Sequence, residues 1–134
     1  MEGSLTLEQL VGLDDSHVAD WHNTRLHVRA IEAFQRLSED AAEVGFDLRV
    51  VSGYRSFGRQ LIIFNEKATG KRRLFDDYGN LVEVTNLTPY ALLCLVLRFS
   101  ALPGASRHHW GSDIDIYDAN AVSPDYDVQL SSKE

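Results

Sequence analysis

Hydrophobic residues in the first half of the chain follow a helical period and then a strand period. Over residues 24–44 the apolar side chains recur every three to five positions, which is typical of one face of a long amphipathic helix, and Gly45 ends it. Over residues 46–50 apolar and charged side chains alternate, which predicts a strand that leads into a turn at Gly53. The pattern therefore predicts a fold that mixes helices and strands.

Shorter patterned segments lie on both sides of this helix and strand. The segment 4–12 predicts a short helix that Ser4 or Thr6 caps, and the segment 57–70 predicts a second helix. The segment 71–85 has the pattern of a hairpin, in which two short strands are joined by a turn. Helices and strands are thus expected to continue through the middle of the chain.

The most apolar segment of the chain follows the predicted hairpin. Thr88 is a suitable N-cap, Pro89 suits the first helical position, and a proline and a glycine at positions 103–104 close the segment. Because nearly every residue between these signals is apolar, the sequence predicts a buried helix. Cys94 lies within it and is predicted to be a buried, unreactive thiol.

The later stretch ALPGASRHHWGSDIDIYD combines titratable side chains with apolar ones. Its last part alternates strictly, which predicts a strand with Ile114 and Ile116 facing the core. His108 offers a neutral nitrogen and Asp115 a carboxylate, and both groups suit zinc. On one straight strand these two residues would lie roughly 23 Å apart at about 3.3 Å per residue. The chain must therefore bend between them if they share an ion, and Gly111 permits that bend. Two ligands alone do not define a zinc site.

Composition and charge limit the classes of partner. The 134 residues suit a single domain, and the net charge of −7 argues against general attraction to nucleic acid or anionic lipid. One cysteine excludes an internal disulfide framework. No apolar run approaches the roughly 20 residues that a membrane-spanning helix needs. The first residues do not resemble a signal peptide, which predicts a cytoplasmic protein.

Two motifs in this chain resemble the signatures of one family of zinc peptidases. SRHHWGSDIDI resembles the S-x-H-x-x-G-x-x-x-D signature of D-alanyl-D-alanine carboxypeptidases of the VanY type, and SGYRSFGRQ resembles their S-x-Y-R-S-x-x-x-Q motif. The wider superfamily also includes D,D-dipeptidases, phage endolysins and the hedgehog signalling domain. The likeness extends over residues 20–118. It implies a single α+β domain over residues 1–134, in which an antiparallel sheet carries a zinc site and helices pack against it.

The resemblance also implies a role for each residue that matches the two motifs. His108 and Asp115 would be two of the three protein ligands to Zn²⁺. Arg55 would polarise the scissile carbonyl and stabilise the oxyanion, for which a fixed, charged guanidinium with several donors is suited. Gln60 and Ser106 would line the substrate pocket and hydrogen-bond the peptide or its terminal carboxylate.

Two titratable residues near the second motif receive no such role. His109 falls one place outside the motif, and on an extended segment it would point away from His108, so we interpret it as a neighbour of the site. Asp113 is interpreted as a support for the site or as a surface residue. Neither is predicted to bind the metal.

The implied activity is zinc-dependent hydrolysis at the D-Ala-D-Ala end of peptidoglycan stem peptides. Zinc would activate a water molecule, a carboxylate would take its proton, and Arg55 would hold the developing negative charge. This substrate implies the bacterial cell envelope, whereas the first residues predict the cytoplasm. The residues that flank the cleaved bond, the choice between endopeptidase and carboxypeptidase, and the oligomeric state stay open.

One departure from the family concerns the last part of the chain. The family places a catalytic glutamate and its third zinc ligand in a later motif, but no histidine follows Asp115 here and the only later glutamate is Glu134. One hypothesis is that the domain is incomplete at its C-terminus. A second is that His17 or His22 supplies the missing ligand. A third is a degenerate relative that binds cell-wall peptide or zinc without hydrolysis.

Overall fold

Helices and strands follow one another along the chain as the hydrophobic pattern predicts, except that residues 18–27 contain a hairpin that the pattern did not predict. A computed structural model of the protein describes residues 3–128. Two single 3₁₀ turns, at Val84–Asn86 and Arg107–Trp110, accompany the regular elements of this part of the chain. In chain order the regular elements are α1 (Leu7–Leu10), β1 (Val18–Trp21), β2 (Thr24–His27), α2 (Val28–Glu43), β3 (Leu48–Ser52), α3 (Phe57–Ala68), β4 (Leu74–Phe75), β5 (Leu81–Val82), α4 (Pro89–Phe99) and β6 (Asp115–Asp118).

The strands of the described residues form three antiparallel pairs. β1 pairs with β2, β4 pairs with β5, and β3 pairs with β6 across more than sixty residues of sequence. In the β3–β6 pair Val50 lies opposite Ile116 and Ser52 lies opposite Asp115, with an irregularity between Val50 and Ser52. This pair joins the two sequence motifs, because one motif begins on β3 and the other ends on β6. The predicted antiparallel sheet with helices packed around it is confirmed.

Local end signals located most of the helices correctly. Thr6 forms a capping box with Gln9 at the start of α1, so the second of the two predicted caps is the one used. Ser56 caps α3, while Thr88 caps α4 with Pro89 in its first turn. Such signals act within one turn of helix and therefore need no tertiary information.

The start of the long helix was predicted wrongly. Residues 24–27 form β2 of a hairpin, and α2 begins only at Val28. His27, expected inside the helix, is its N-cap and accepts a hydrogen bond from the backbone N–H of Arg29 at 3.1 Å. Leu26 is fully buried from the strand. One buried leucine fits the helical period and the strand period equally well, so the pattern alone could not separate the two.

The prediction that α4 is buried was also wrong. Of its residues only Val96 is buried, and Cys94 is exposed rather than enclosed. Ile116 is 37% exposed, although the sequence predicted that it faces the core. Within residues 3–128 the buried apolar residues are Val18, Leu26, Phe34, Ile63, Leu74 and Val96.

Among the described residues, no helix is both long enough and apolar enough to cross a membrane.

Candidate functional site

The two sequence motifs meet where the loop after β3 packs against the 3₁₀ turn Arg107–Trp110. The backbone N–H of Arg55 donates to the carbonyl of His108 at 3.0 Å, and Nδ1 of His108 donates to the carbonyl of Gly53 at 3.0 Å. A Cβ on Gly53 would lie 2.7 Å from the Arg25 carbonyl oxygen, so only glycine allows the loop to approach β2 this closely. The loop and the 3₁₀ turn are thus held together by paired hydrogen bonds.

Asp115 lies on β6 beside the imidazole of His108. The bend predicted at Gly111 is present, since this residue adopts a left-handed conformation with φ of 70°. It reverses the chain after the 3₁₀ turn and brings the Nε2 atom of His108 to 3.2 Å from the Oδ2 atom of Asp115. A straight strand would separate the two residues by roughly 23 Å at about 3.3 Å per residue. The single turn at Gly111 brings them into contact instead.

The tautomer of the neutral His108 ring follows from its partners. The Gly53 carbonyl can only accept, so Nδ1 of His108 carries the hydrogen and Nε2 presents a lone pair in the neutral ring. That lone pair faces a carboxylate oxygen at 3.2 Å, and two acceptors this close require a proton or a cation between them. Two ligand atoms that each lie about 2.0–2.1 Å from a tetrahedral zinc ion are separated by about 3.3–3.4 Å. The His108–Asp115 pair therefore has the donors, the orientation and the spacing that suit zinc.

A third ligand is not placed with this pair. Within residues 3–128, the structure contains no group of three histidine, cysteine or acidic side chains that could hold a metal ion. Nε2 of His17 instead lies 2.9 Å from the carbonyl of His109, and His22 is exposed at the turn between β1 and β2. Glu134 lies outside the described residues.

Arg55 is held in one position by side-chain partners on either side of it. Its guanidinium donates to the Oγ atom of Ser52 at 2.7 Å and to the Oε1 atom of Gln60 at 2.8 Å. Burial lowers the pKa of Arg55, and the negative charge of Asp115 acts in the opposite direction. An arginine remains charged under such conditions, so it supplies a fixed positive charge close to the His108–Asp115 pair.

Gln60 and Ser106 lie beneath the site and are hardly accessible to solvent. Gln60 is fully buried, and its Nε2 atom donates to the carbonyl of Ala101 at 2.7 Å while its Oε1 atom accepts from Arg55. Ser106 is 3% exposed, and its hydroxyl accepts from the backbone N–H of His108 at 3.3 Å. Each side chain therefore bonds to neighbouring groups of the protein, in a position that holds Arg55 or His108.

His109 lies beside the site, as the sequence indicated, but its two backbone contacts were not predicted. It is fully buried, its Nδ1 atom donates to the carbonyl of Arg55 at 2.6 Å, and its Nε2 atom accepts from the backbone N–H of Gly104 at 3.0 Å. Burial lowers the pKa of His109, which favours the neutral ring that this arrangement needs. The turn glycines on both sides of it were the available sequence signal, because such turns bring a side chain within reach of backbone groups.

Replacing His109 by asparagine is expected to lower the free energy of unfolding by about 2–4 kcal/mol. The shorter amide serves only one of the two backbone partners, so a buried polar group loses its hydrogen bond and a void remains. Urea unfolding measures the change. The same substitution at exposed His22, whose positive φ of 49° asparagine tolerates, should change stability by less than about 0.5 kcal/mol. Equal effects at both positions would contradict the role of His109.

Comparison with known protein sequences gives one family and one relative. The VanY family, described as D-alanyl-D-alanine carboxypeptidase, matches residues 23–133 of the chain. A protein of Haemophilus influenzae described as uncharacterized is 36% identical over 103 residues, which cover 73% of this chain and 70% of that protein. The family match includes the two motifs that form the site.

Comparison with solved structures gives the same fold. The vancomycin-resistance D,D-pentapeptidase VanY in complex with Zn(II) has a TM-score of 0.63 and 24% identity, over 81% of this chain and 56% of that one. VanYB in complex with D-alanine-D-alanine has a TM-score of 0.65 and 24% identity, over 82% and 55%. The LD-carboxypeptidase LdcB has a TM-score of 0.59 and 21% identity, over 83% and 47%. At these identities the likeness shows the fold, and the chain spans about half the length of these structures.

Proposed function

The chain belongs to the VanY family of D-alanyl-D-alanine carboxypeptidases, as its two motifs predicted, and from this premise we propose that it is a zinc-dependent peptidase. Its substrate in this proposal is the D-Ala-D-Ala end of a peptidoglycan stem peptide. We also propose that the chain forms one peptidase-like domain and acts in the cell envelope. The whole reaction consumes one water and one peptide bond and yields a shortened peptide and D-alanine.

The observation that carries the proposal is the His108–Asp115 pair beside Arg55. The two ligand atoms lie 3.2 Å apart, and the hydrogen bond from His108 to Gly53 directs the Nε2 lone pair toward Asp115. When bound there, zinc would supply a water nucleophile that is active near neutral pH. The spacing, the tautomer and the carboxylate all support the two proposed ligands.

The chain's own residues would contribute orientation and charge. Arg55 would donate to the oxygen of the scissile carbonyl, where negative charge develops in the transition state. Because Ser52, Gln60 and His109 hold its side chain and its backbone, Arg55 would need little rearrangement during the reaction. Gln60 and Ser106 would line the substrate pocket and also support the site, since Gln60 bonds to Arg55 and Ser106 to the backbone of His108.

A second function is favoured by one specific observation. The described residues place no third metal ligand with His108 and Asp115, and the proposal names no group that accepts the proton from water. A degenerate relative that binds cell-wall peptide or zinc without hydrolysis would need neither group. The two functions differ in whether D-alanine is released.

Release of D-alanine from defined peptides tests the proposed function. The full chain with added Zn²⁺ is expected to release D-alanine from a peptide that ends in D-Ala-D-Ala and not from one that ends in L-Ala-L-Ala. A chelator should abolish the release and renewed Zn²⁺ should restore it. If zinc binds to the wild type and not to His108→Ala, yet no D-alanine appears, the chain binds metal without hydrolysis. Calorimetric titration with D-Ala-D-Ala would then show whether it is a peptide-binding relative.

A further inference from the structure

A groove of about 620 Å³ lies between the tip of the β1–β2 hairpin, α2 and the β3–β6 pair. Its volume is within the range of sites that bind small molecules. Among the described residues that line the groove, none is Arg55, His108 or Asp115. The groove is therefore separate from the proposed catalytic groups, and the proposed hydrolysis does not use it.

The groove exists because β2 and β3 are in contact at one end only. The backbone N–H of Tyr54, just after β3, donates to the carbonyl of Arg25 on β2 at 2.8 Å. Beyond this contact the two strands are not paired, since β1–β2 and β3–β6 form separate sheets among the described residues. The hairpin tip and β3 therefore leave a gap, and Phe34 and Ser38 of α2 form part of its lining.

The groove begins close to the candidate site. Val50 lines it, and Ser52, two residues further along β3, accepts a hydrogen bond from Arg55. On the paired strand Tyr117 lines it, and Asp115 lies two residues before Tyr117 on the same face of β6. Two residues of strand span about 7 Å. A ligand in the groove would therefore lie beside a peptide that is bound at the candidate site.

Three aromatic rings form part of the groove wall. They belong to Trp21, Phe34 and Tyr117, and the rings of Trp21 and Tyr117 are partly accessible to solvent. The indole of Trp21 contacts the ring of Phe34 edge-to-face at 6.1 Å between centroids, and it contacts the ring of His22 at 4.7 Å. These contacts fix the orientation of the indole, so little ordering is needed when a ligand packs against it. A flat aromatic face of this kind suits the C–H face of a pyranose ring.

The charged and polar side chains of the groove favour an uncharged ligand. Arg49 and Asp47 pair with each other at 2.8 Å, so their charges cancel. In the described part of the chain, neither the side-chain amide of Asn23 nor the hydroxyl of Tyr117 has a hydrogen-bond partner. An amide offers two N–H donors and an acceptor, and a phenol can both donate and accept. The groove therefore suits a ligand that combines hydroxyl or amide groups with one apolar face.

We propose that this groove is a saccharide-binding site, in which a pyranose ring packs against Trp21. Asn23 and Tyr117 would form hydrogen bonds with its hydroxyl or acetamido groups. A saccharide has both an apolar C–H face and uncharged hydrogen-bonding groups, which is the combination that the groove offers. The choice of an N-acetylhexosamine of peptidoglycan rests on the proposed function, because stem peptides are attached to a glycan of such units.

Calorimetric titration with chitotetraose, a tetramer of N-acetylglucosamine, tests the site without zinc and without a peptide. The wild type is expected to bind it. Trp21→Ala should lower the affinity about 10-fold or more, because the stacking surface is lost. Asn23→Ala and Tyr117→Phe should each lower it about 3- to 10-fold, since each removes one hydrogen bond.

Tyr90 provides a matched control, because it is an exposed aromatic residue on α4 that does not line the groove. Tyr90→Ala should leave the affinity unchanged. No binding by the wild type, or an equal loss in Tyr90→Ala and Trp21→Ala, would overturn the proposal. Displacement of chitotetraose by a free stem peptide would also overturn it, because the groove would then be a peptide site. If Trp21→Ala fails to fold by circular dichroism, Asn23→Ala at the exposed hairpin tip takes its place.

Failure of this inference can be distinguished from failure of the proposed function. Release of D-alanine without binding of chitotetraose would refute the saccharide site and leave the proposed hydrolysis intact. Binding of chitotetraose that Trp21→Ala weakens, without release of D-alanine, would refute hydrolysis and support the saccharide site.

Discussion

Replacing His108 by alanine is expected to lower the zinc affinity of the chain by more than about 100-fold. Partners that only orient a metal ligand already contribute about 10- to 100-fold to affinity, so loss of a direct ligand should exceed that range. The hydrogen bond from Nδ1 to Gly53 leaves the Nε2 atom as the metal donor, and alanine removes it. Elemental analysis gives the zinc content per chain, and competition with a chelator of known affinity gives the change.

Matched variants separate this site from adventitious binding of zinc. Asp115→Asn keeps the shape of the second ligand but removes its charge, and it should also lose most of the zinc affinity. His22→Asn, at the exposed turn of the β1–β2 hairpin, should leave the affinity unchanged. Loss of zinc in His17→Ala would revive the hypothesis that this residue is a ligand. Absence of zinc from the wild type would contradict the site itself.

The features that the sequence predicted well are those that act locally. Thr6 and Thr88 each cap a helix within one turn, so their effect does not depend on distant parts of the chain. Gly111 is similar, because its left-handed conformation supplies the bend that a shared ion would require. The two motifs predicted the VanY family from the sequence alone.

The features that the sequence predicted poorly depend on what covers each element. α4 is apolar almost throughout, but within the described residues only Val96 is buried, and Cys94 remains exposed. Hydrophobicity indicates how much burial a segment could achieve and does not identify the surface that packs against it. For the same reason, the alternation around Ile116 located β6 correctly and gave the wrong exposure.

In the candidate site, too, local motifs predicted some residues, whereas the roles of others depend on tertiary contacts. Arg55, His108 and Asp115 were identified from the motifs, and the structure brings them close together. The burial of Gln60 and the two backbone contacts of His109 could not be predicted, since each depends on loops that meet only in the folded chain. A motif therefore locates the reacting groups more readily than the residues that hold them.

Replacing Arg55 by methionine is expected to lower kcat for release of D-alanine by about 100- to 1000-fold. This is the range found when one donor to a developing oxyanion is removed. The effect should appear in kcat rather than KM, because the negative charge exists only in the transition state. Zinc content should stay that of the wild type, since Arg55 binds neither the Nε2 atom of His108 nor the Oδ2 atom of Asp115. Steady-state kinetics and elemental analysis measure the two quantities.

Two further variants show whether the charge of Arg55 or its geometry is responsible for the effect. Arg59→Met removes an exposed charge from α3 and should change kcat less than about twofold if local geometry, rather than general electrostatics, matters. Arg55→Lys keeps the charge but cannot reproduce the fork that donates to both Ser52 and Gln60, so it should recover only a small part of the activity. Full activity in Arg55→Lys would mean that charge alone is sufficient. A fall in kcat with lost zinc would instead make Arg55 a support of the metal site, because the loop that carries it also provides the carbonyl that orients His108.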